Sequence, residues 1–369
     1  MTRLVLILPP NRAPEEWTCY LSRATNVRVK VLSETEPSKT RRDAEVEWIG
    51  VKYRRHPVLG NRVGPGAVLD LPSLESHIKG ADIVVSSEIF SSLTYQATRL
   101  CTERRIPLLA VCWETLSDNV VFRFPPYCHY ARTVAKGLST LVAATSRAAE
   151  AHLRVGVAPD RVTVVYPGQE KLSETTGSRS IGENRLRVLY VGNLYPWKGL
   201  GDLTEAFRRI LSERLDLSLT VVGTGPLLSS LSRIAKRDPR IQVTGYLDEA
   251  QKALQLRSAD IFVYPSRLRT TFGLKRWEEQ FGHSVVEAMN AGLATIVTDC
   301  GALPEVVNDS GMVIPQRSPV GLAAGIVRLS DSVLRRALGE RAERRARAEF
   351  DPDTQAAKFA KVVRKTIDQ

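Results

Sequence analysis

Short runs of apolar, β-branched residues alternate along the chain with longer stretches in which apolar residues recur every three or four positions. Near-continuous apolar runs such as Arg187–Val191 suit strands that are buried on both faces of a parallel sheet. One stretch places its apolar residues along a single helical face, at Leu203, Ala206, Phe207, Ile210 and Leu211. Because this alternation occurs in both halves of the chain, the pattern predicts an α/β protein with parallel sheets.

The apolar runs predict strands in both halves of the chain. In the first half they are Leu4–Leu8, Val27–Leu32, Val46–Val51, Ile83–Ser86, Pro107–Cys112, Leu141–Ala144 and Val162–Tyr166. In the second half they are Arg187–Val191, Leu219–Val222, Ile241–Thr244, Ile261–Tyr264, Thr295–Thr298 and Met312–Ile314. Helices are predicted at Leu203–Leu211, Pro226–Lys236, Glu249–Ser258 and Ser284–Asn290, and Asp202 is predicted to cap the first of them.

A polar segment rich in Gly, Ser and Thr separates the two halves at residues 168–184. Such composition is typical of an interdomain linker, and a new predicted strand follows it directly. The fold class predicted is therefore two doubly wound, Rossmann-like α/β domains facing each other across a cleft. We expect the ligand of such a protein at the carboxyl ends of the strands.

Composition is that of a globular protein, with 43% hydrophobic and 25% charged residues among 369. No apolar run reaches the roughly 20 residues of a spanning helix, and the apolar start of the chain is too short for a secretion signal. We therefore expect a cytoplasmic protein. The five cysteines are scattered without C-x-x-C spacing, which predicts reduced, mostly buried thiols and neither a disulfide framework nor a zinc site.

The formal net charge of +12 indicates an anionic partner. Basic residues concentrate at Arg41–Arg42, Lys52–His56 and Arg341–Arg347, but none of these segments is interleaved with the aromatic residues of an RNA-binding sheet. No DNA-reading motif is visible either, so nucleic acid is not an expected partner. An anionic bilayer and phosphorylated small molecules remain as alternatives.

Two glutamates, Glu279 and Glu287, stand eight residues apart around the pair Phe281–Gly282. On one continuous helix they would point about 80° apart and would not share a face. Gly282 instead predicts that Glu279 lies in a loop and that Glu287 lies one turn inside the following helix. The N–H groups and the positive dipole end of that helix suit a diphosphate, while carboxylates accept hydrogen bonds from ribose and sugar hydroxyls.

This Glu-x7-Glu arrangement resembles the donor-site signature of family-4, retaining glycosyltransferases of the GT-B fold, also called glycosyl transferases group 1. The segment Glu287–Gly292 continues that signature. Further segments that follow the family pattern are Val191–Gly199, Val221–Pro226, Thr298–Glu305 and Gly311–Pro315. The likeness covers about residues 185–316 and is weaker before them. It implies an acceptor-binding domain at 1–170, a linker at 171–184, a donor-binding domain at 185–349 and a final helix at 350–369 that returns to the first domain.

The resemblance also implies roles for individual residues. Glu287 would hold the donor ribose, Glu279 would lie beside the transferred sugar, and Lys198 would contact the diphosphate and stabilise the departing nucleotide. Glu279, Lys198 and Glu114 are thus the candidate catalytic residues. The candidate donor-binding residues, besides Glu287, are Gly192, Asn193, Gly223, Gly225, Tyr246, Phe281, Gly282, His283 and Ser284. Transfer with retention would need no enzymic nucleophile, no metal and no cofactor, only a nucleotide-diphosphate sugar, with UDP or GDP as the expected nucleotide.

Three features depart from the family pattern. Asn193 stands where the family usually has an arginine, and we hypothesise that nearby cations replace it: Arg267, Arg269, Lys275 or Arg276. The segment Pro9–Pro14 replaces the glycine-rich loop after the first strand. Trp113 and Glu114 occupy the place where a histidine often faces the donor sugar, so Glu114 is a candidate for contact with sugar or acceptor, or else caps the local turn.

Other functions remain open at this point. A dinucleotide-dependent oxidoreductase is disfavoured, because Leu228 stands where its third glycine would be. A catalytically weak nucleotide-sugar or polyanion-binding protein that keeps the fold is the main alternative, and a sugar-nucleotide epimerase of the same fold is another. The acceptor can be a glycan, a lipid-linked molecule or a natural product. With a lipid-linked acceptor, the positive charge favours peripheral contact with the inner face of an anionic membrane.

Overall fold

The computed structural model describes residues 2–8, 27–33, 46–52, 71–171, 185–210 and 216–369. Several sequence predictions lie outside these residues: the segment Pro9–Pro14, Cys19, the basic pair Arg41–Arg42, Leu211 and almost all of the predicted linker. The chain divides into two compact units. The first contains residues 1–168, 273–275 and 352–369, and the second contains residues 169–272 and 276–351.

A seven-stranded parallel sheet forms the centre of the first unit, in the order β3-β2-β1-β4-β5-β6-β7. Its strands are β1 (Thr2–Ile7), β2 (Val27–Ser33), β3 (Val46–Gly50), β4 (Ile83–Ser87), β5 (Leu108–Cys112), β6 (Thr140–Ala143) and β7 (Val162–Val164). Every residue of β4, β5 and β6 is buried. These three strands carry near-continuous apolar runs because helices cover both of their faces.

The helices between these strands are α1 (Leu71–Ile78), α2 (Ser92–Arg104), α3 (Val120–Arg123), α4 (Tyr127–Gly137) and α5 (Ser146–Val155), followed by a 3₁₀ turn at Pro159–Arg161. Side-chain and glycine caps set the bounds of α5. The Thr145 hydroxyl accepts a hydrogen bond from the Ala148 N–H at its start, and Gly156 adopts the left-handed conformation at its end.

A six-stranded parallel sheet forms the centre of the second unit, in the order β10-β9-β8-β11-β14-β15. Its strands are β8 (Leu186–Val191), β9 (Leu217–Val222), β10 (Ile241–Gly245), β11 (Ile261–Tyr264), β14 (Ala294–Thr298) and β15 (Gly311–Ile314). Two further short strands, β12 (Arg269–Thr271) and β13 (Leu274–Trp277), pair only with each other.

The helices of the second unit are α6 (Leu200–Ile210), α7 (Leu228–Ala235), α8 (Glu249–Ser258), α9 (His283–Asn290), α10 (Leu303–Val307), α11 (Pro319–Arg328) and α12 (Ser332–Glu349). Short 3₁₀ turns occur at Pro196–Lys198 and Asn308–Ser310. The last helix, α13 (Pro352–Ile367), belongs to the first unit. It buries Phe359 and Val363, and its Thr366 hydroxyl lies 2.8 Å from the hydroxyl of Thr140 in β6.

The predicted fold class of two doubly wound α/β domains is confirmed, and each of the predicted strands is present. The prediction that Asp202 caps α6 from outside is wrong. The helix begins two residues earlier, at Leu200, so Asp202 lies inside its first turn and pairs with Arg267 at 3.6 Å. A carboxylate there still interacts favourably with the positive end of the helix.

Within the described part of the chain, four cysteines are free and buried: Cys101, Cys112, Cys128 and Cys300. Burial raises the pKa of the Cys101 and Cys300 thiols to about 12, so both stay protonated and unreactive at neutral pH. None of the helices in the described ranges has the length and apolar character required to cross a bilayer.

Candidate functional site

The order of the second sheet places a switch point between β8 and β11. From β8 the chain continues to β9 on one side, whereas β11 lies on the other side and leads to β14. The loops that leave the carboxyl ends of β8 and β11 therefore diverge, and ligands of doubly wound sheets bind in the crevice that this divergence opens. Lys198 lies in the loop after β8, and Glu279 lies between β13 and α9.

The structure brings Lys198 and Glu279 into direct contact. The Lys198 ammonium donates to the Glu279 carboxylate at 2.7 Å and to the Tyr264 hydroxyl at 2.9 Å. The same Glu279 oxygen accepts a hydrogen bond from the Ser266 hydroxyl at 2.8 Å. Both charged side chains are about 90% buried, with exposed fractions of 10% and 9%. A pair this deeply buried is maintained only where its hydrogen bonds are satisfied, as they are here.

Aromatic rings enclose the Lys198 ammonium. Its nitrogen lies 4.5 Å from the centre of the Trp277 ring and 5.1 Å from that of Tyr264. Ring faces attract a cation, and they also exclude water from it. Burial and the nearby Glu279 raise the pKa of Tyr264 well above its ordinary value, so its hydroxyl remains neutral beside the ammonium.

Gly282 determines how the chain turns from Glu279 into α9. It is the N-cap residue of that helix and has a φ of 94°, a left-handed conformation that costs glycine little. Glu279 consequently lies in the loop, and Glu287 lies one turn inside the helix. Phe281, next to the glycine, is buried between the ring of His283 and that of Phe350, with centroid distances of 5.1 and 5.4 Å. Ser284, the second residue of α9, is partly buried.

Glu287 forms a second charged pair at the same edge of the sheet. Its carboxylate accepts a hydrogen bond from the Lys252 ammonium at 2.8 Å, and the two side chains are only 12% and 15% exposed. Burial raises the pKa of Glu287, while the Lys252 ammonium acts to lower it. Burial alone would lower the pKa of Lys252, but the carboxylates of Glu287 and Glu249 hold it above the ordinary value.

Lys252 and Gln169 contact the candidate residues Glu287 and His283 and were not predicted from the sequence. Lys252 lies on α8, which begins with a capping box between Asp248 and Gln251. That signal predicts the helix but does not reveal that its lysine faces Glu287. Gln169 follows the first unit in sequence; its side-chain oxygen lies 3.1 Å from His283 Nδ1, and its amide nitrogen lies 3.5 Å from the Glu287 carboxylate.

Replacing Lys252 by methionine is expected to destabilise the protein by about 3 kcal/mol at pH 7, because Glu287 would remain buried without its cation. The substitution also raises the pKa of Glu287 further. A carboxyl whose pKa is raised by folding favours the folded state at low pH, and this contribution is lost as the pH rises through the folded pKa. The loss in the free energy of unfolding caused by Lys252→Met should therefore be much smaller near pH 4 than at pH 7. Urea unfolding at both pH values measures it.

Glu249→Gln is the matched control for this prediction, because Glu249 contacts the same ammonium at 3.0 Å but is 86% exposed. An exposed pair of this kind contributes less than about 1 kcal/mol. Equal losses of stability in Lys252→Met and Glu249→Gln would contradict the importance assigned to the buried pair.

The glycines after β8 and β9 have a packing role that the sequence did not suggest. Gly223 has a φ of 138°, and a Cβ built on it would lie 1.9 Å from the carbonyl oxygen of Gly192. A Cβ on Gly225 would lie 2.8 Å from the carbonyl oxygen of Leu194. The two loops thus approach each other through their backbones, and glycine is needed there before any nucleotide binds.

Asn193 is exposed, and its main-chain oxygen accepts a hydrogen bond from the Tyr190 hydroxyl at 2.9 Å. Of the cations proposed to replace the missing arginine, Arg269 lies over the Trp197 ring, with its guanidinium carbon 4.2 Å from the ring centre. Arg267 pairs with Asp202, as described above. Lys275 pairs with Asp118 of the first unit at 3.0 Å, and Arg276 lies in β13.

The two remaining candidates are Tyr246 and Glu114. Tyr246 follows β10 and is 77% exposed, so its side chain makes little contact with the fold. Glu114, in the first unit, is buried; one carboxylate oxygen accepts the N–H groups of Thr115 and Leu116, and the other accepts the Asn119 amide at 2.7 Å. Those bonds fix the turn after β5, and a contact of Glu114 with sugar or acceptor stays a prediction.

Models of glycosyltransferase families match both halves of the chain. The model of the family described as glycosyl transferases group 1 matches residues 185–332, and that of the glycosyl transferase 4-like domain matches residues 15–168. An uncharacterized glycosyltransferase of Methanocaldococcus jannaschii is 24% identical over 65% of this chain and 62% of its own length. The phosphatidyl-myo-inositol mannosyltransferase of Mycobacterium tuberculosis is 32% identical over 40% of this chain. That alignment spans 39% of the mannosyltransferase, so the chain matches less than two thirds of either relative.

Among solved structures, Anabaena HepE in complex with UDP superposes with a TM-score of 0.76. The two proteins share 18% identity, and the superposition covers 99% of this chain and all of HepE. At that identity the superposition establishes the fold. The same fold is found in WaaG, a glycosyltransferase involved in lipopolysaccharide biosynthesis, with a TM-score of 0.68, 20% identity, and coverage of 98% of this chain and 99% of WaaG.

Proposed function

Because the chain belongs to the group 1 glycosyl transferases of the GT-B fold, we propose that it transfers a sugar from a nucleotide-sugar donor to an acceptor hydroxyl, with retention of the anomeric configuration. The proposed donor domain is residues 185–349, and the proposed acceptor domain is residues 1–170. Residues 171–184 are the proposed linker between them, and residues 350–369 the proposed helix that returns to the acceptor domain.

The observation that carries this proposal is the arrangement of two buried charged pairs on the second sheet. Lys198 with Glu279 and Lys252 with Glu287 place two cations and two carboxylates on loops and helices that follow the carboxyl ends of the strands. A nucleotide sugar needs both kinds of group. Its phosphates require cations, and its ribose and sugar hydroxyls require acceptors.

In the proposed reaction Lys198 is the group that stabilises the leaving nucleotide. The bond from the anomeric carbon to the diphosphate breaks, and a bond to the acceptor oxygen forms on the same face. The acceptor proton passes to the departing phosphate, whose negative charge grows as the bond breaks. Lys198 is already desolvated by Trp277 and Tyr264 and held in place by Glu279, so its charge needs no reorganisation as charge grows on the phosphate.

The two glutamates serve to position the donor. Glu287 would hold the ribose hydroxyls, and Glu279 would contact the transferred sugar while Ser266 keeps its carboxylate in place. Neither needs to form a bond with the sugar. Catalysis then comes mainly from orientation and from fixed charges, without a metal or a cofactor in the donor site.

For the donor nucleotide we propose UDP or GDP. HepE, which shares the fold, binds UDP, and a matching relative is a mannosyltransferase that acts on phosphatidyl-myo-inositol. For the acceptor we propose a glycan, a lipid-linked molecule or a natural product. With a lipid-linked acceptor, the net charge of +12 favours peripheral binding of a cytoplasmic protein to an anionic membrane surface.

A thermal-shift screen with UDP, GDP, ADP, dTDP and their sugar conjugates tests the donor site. A nucleotide at 100 times its Kd should stabilise the wild-type protein by about 2.7 kcal/mol. Glu287→Gln should lose most of that increment, because an amide cannot replace a carboxylate that accepts two hydroxyl donors. Glu340→Gln, at an exposed position of α12, is the control and should keep the increment. If no nucleotide stabilises the wild-type protein, the proposed donor site is wrong.

A second candidate function is a nucleotide-sugar or polyanion binder with little or no catalysis. The exposed Asn193 favours it, because one phosphate cation that is usual in the family is absent there. Product analysis separates the candidates. A transferase yields free nucleotide and a glycosylated acceptor whose anomeric configuration matches the donor, an epimerase yields an altered donor, and a binder yields neither.

A further inference from the structure

Three buried side chains of the first unit bring potential metal ligands together: Glu88, Cys112 and His152. One ligand atom from each lies within 4.8 Å of the other two. Glu88 directly follows β4, Cys112 ends β5, and His152 lies in α5, so the three come from neighbouring elements of the sheet and its cover. No other cluster of this kind occurs among the residues that the structure describes.

His152 presents one ring nitrogen for which the fold provides no partner. Its Nδ1 lies 2.8 Å from the carbonyl oxygen of Ala148, which requires that Nδ1 carry the proton and leaves a lone pair on Nε2. Nε2 is buried and has no hydrogen-bond partner in the described part of the chain.

Cys112 is fully buried and lies beside the Glu88 carboxylate. Burial, with a contribution from the Glu88 carboxylate, raises the pKa of the thiol well above its ordinary value. A divalent cation beside a thiol removes its proton outright, so a bound metal ion would overcome this effect of burial.

We propose that Glu88, Cys112 and His152 bind a divalent transition-metal ion of the zinc class. Thiolate, imidazole and carboxylate are all zinc ligands, and a water molecule would complete the tetrahedron. As the metal–sulfur bond forms, the Cys112 thiol loses its proton to solvent. The thiolate and the carboxylate together carry two negative charges, which a divalent ion neutralises.

The geometry requires only small side-chain movements. Around a tetrahedral zinc ion the ligand atoms lie about 3.3–3.7 Å apart. The ligand atoms here all lie within 4.8 Å of one another, so each pair would have to approach by at most roughly 1.5 Å. The rings of Phe122 and His152 lie nearly perpendicular to each other, with their centroids 6.0 Å apart. All three ligand residues are buried, so the ion would be shielded from bulk solvent.

The proposed ion would act as a structural support below the turn that carries Trp113 and Glu114. Glu88 has a φ of 58°, in the left-handed region, and its carboxylate accepts the Trp113 N–H at 2.8 Å. An ion that holds Glu88 would therefore hold the start of that turn. The sequence predicted no zinc site because ligands supplied by three separate elements leave no short spacing to detect.

Cobalt reports directly on such a site, because a Co²⁺–thiolate bond gives a near-ultraviolet charge-transfer band. The full-length protein, stripped of metal with a chelator, is titrated with Co²⁺ and then with Zn²⁺. We expect one Co²⁺ per chain, a thiolate band, and loss of the band when Zn²⁺ displaces cobalt. Cys112→Ala should lose the band and weaken metal binding at least tenfold, whereas Cys101→Ala, at another buried thiol, should behave as wild type.

His152→Leu provides a second variant, expected to retain at most a weakened band. The proposal is overturned if the wild-type protein gives no stoichiometric thiolate band, or if Cys112→Ala retains it. It is also overturned if Cys101→Ala loses the band to the same extent. None of these results bears on the donor site, whose nucleotide screen is a separate measurement.

Discussion

Replacing Lys198 by methionine should lower turnover by about 10²–10³-fold, because one fixed charge that stabilises the leaving nucleotide is removed. The same substitution should also lower the free energy of unfolding by about 3–5 kcal/mol, since Glu279 would remain buried without its cation. Steady-state kinetics with a donor found in the nucleotide screen and urea unfolding of the free protein measure the two effects separately.

The double variant Lys198→Met with Glu279→Gln separates the structural role of the pair from its chemical role. With both charges removed, the buried pair is replaced by neutral groups of similar shape, and most of the lost stability should return. Turnover should stay low, because the amide and the thioether supply no positive charge to the phosphates. If turnover recovers together with stability, Lys198 is a structural residue and its proposed catalytic role is wrong.

Gly223→Ala should destabilise the protein by about 3 kcal/mol or more, as measured by urea unfolding. Its Cβ would lie 1.9 Å from the Gly192 carbonyl oxygen, a distance at which one of the two backbones must move. The backbone conformation, with φ at 138°, is also one that alanine rarely adopts. The loops that contain Gly192 and Gly223 follow strands β8 and β9 of the proposed donor site. The variant should therefore also be stabilised less by a bound nucleotide.

Gly201→Ala is the matched control with an effect of the opposite sign. Gly201 lies in the first turn of α6, and a Cβ built on it meets nothing within 4 Å. Alanine has a higher helix propensity than glycine, so this variant should gain about 0.5–1 kcal/mol. Equal effects of the two substitutions would contradict the packing role assigned to Gly223.

The sequence pattern predicted the sheets well because their strands are buried on both faces. In β4 and β5 every side chain is buried, and the resulting apolar runs are hard to mistake. The pair β12–β13 was missed for the opposite reason. Its residues, Arg-Thr-Thr and Leu-Lys-Arg-Trp, show neither an apolar run nor a clear alternation, so nothing in the periodicity marks them as strands.

The candidate site was only partly predictable from the sequence. Motif spacing singled out Glu279, Glu287 and Lys198, because each lies in a local segment that resembles a known family. The pairing of Lys198 with Glu279 joins residues 81 positions apart, and that of Lys252 with Glu287 joins residues 35 positions apart. Long-range contacts of this kind depend on the order of the strands in the sheet, which no local pattern encodes.

The return of α13 to the first unit has a consequence for how such genes can recombine. Residues 352–369 fold with residues 1–168, although 183 codons for residues 169–351 lie between them. A single crossover at the polar segment near residue 170 would combine residues 1–168 of one parent with α13 of the other parent. The buried Phe359 and the Thr366 hydroxyl of one parent would then have to pack against residues of the other parent, including the one at Thr140. Exchange of the whole first unit, the proposed acceptor domain, between relatives is therefore expected to require two crossovers, one on each side of residues 169–351.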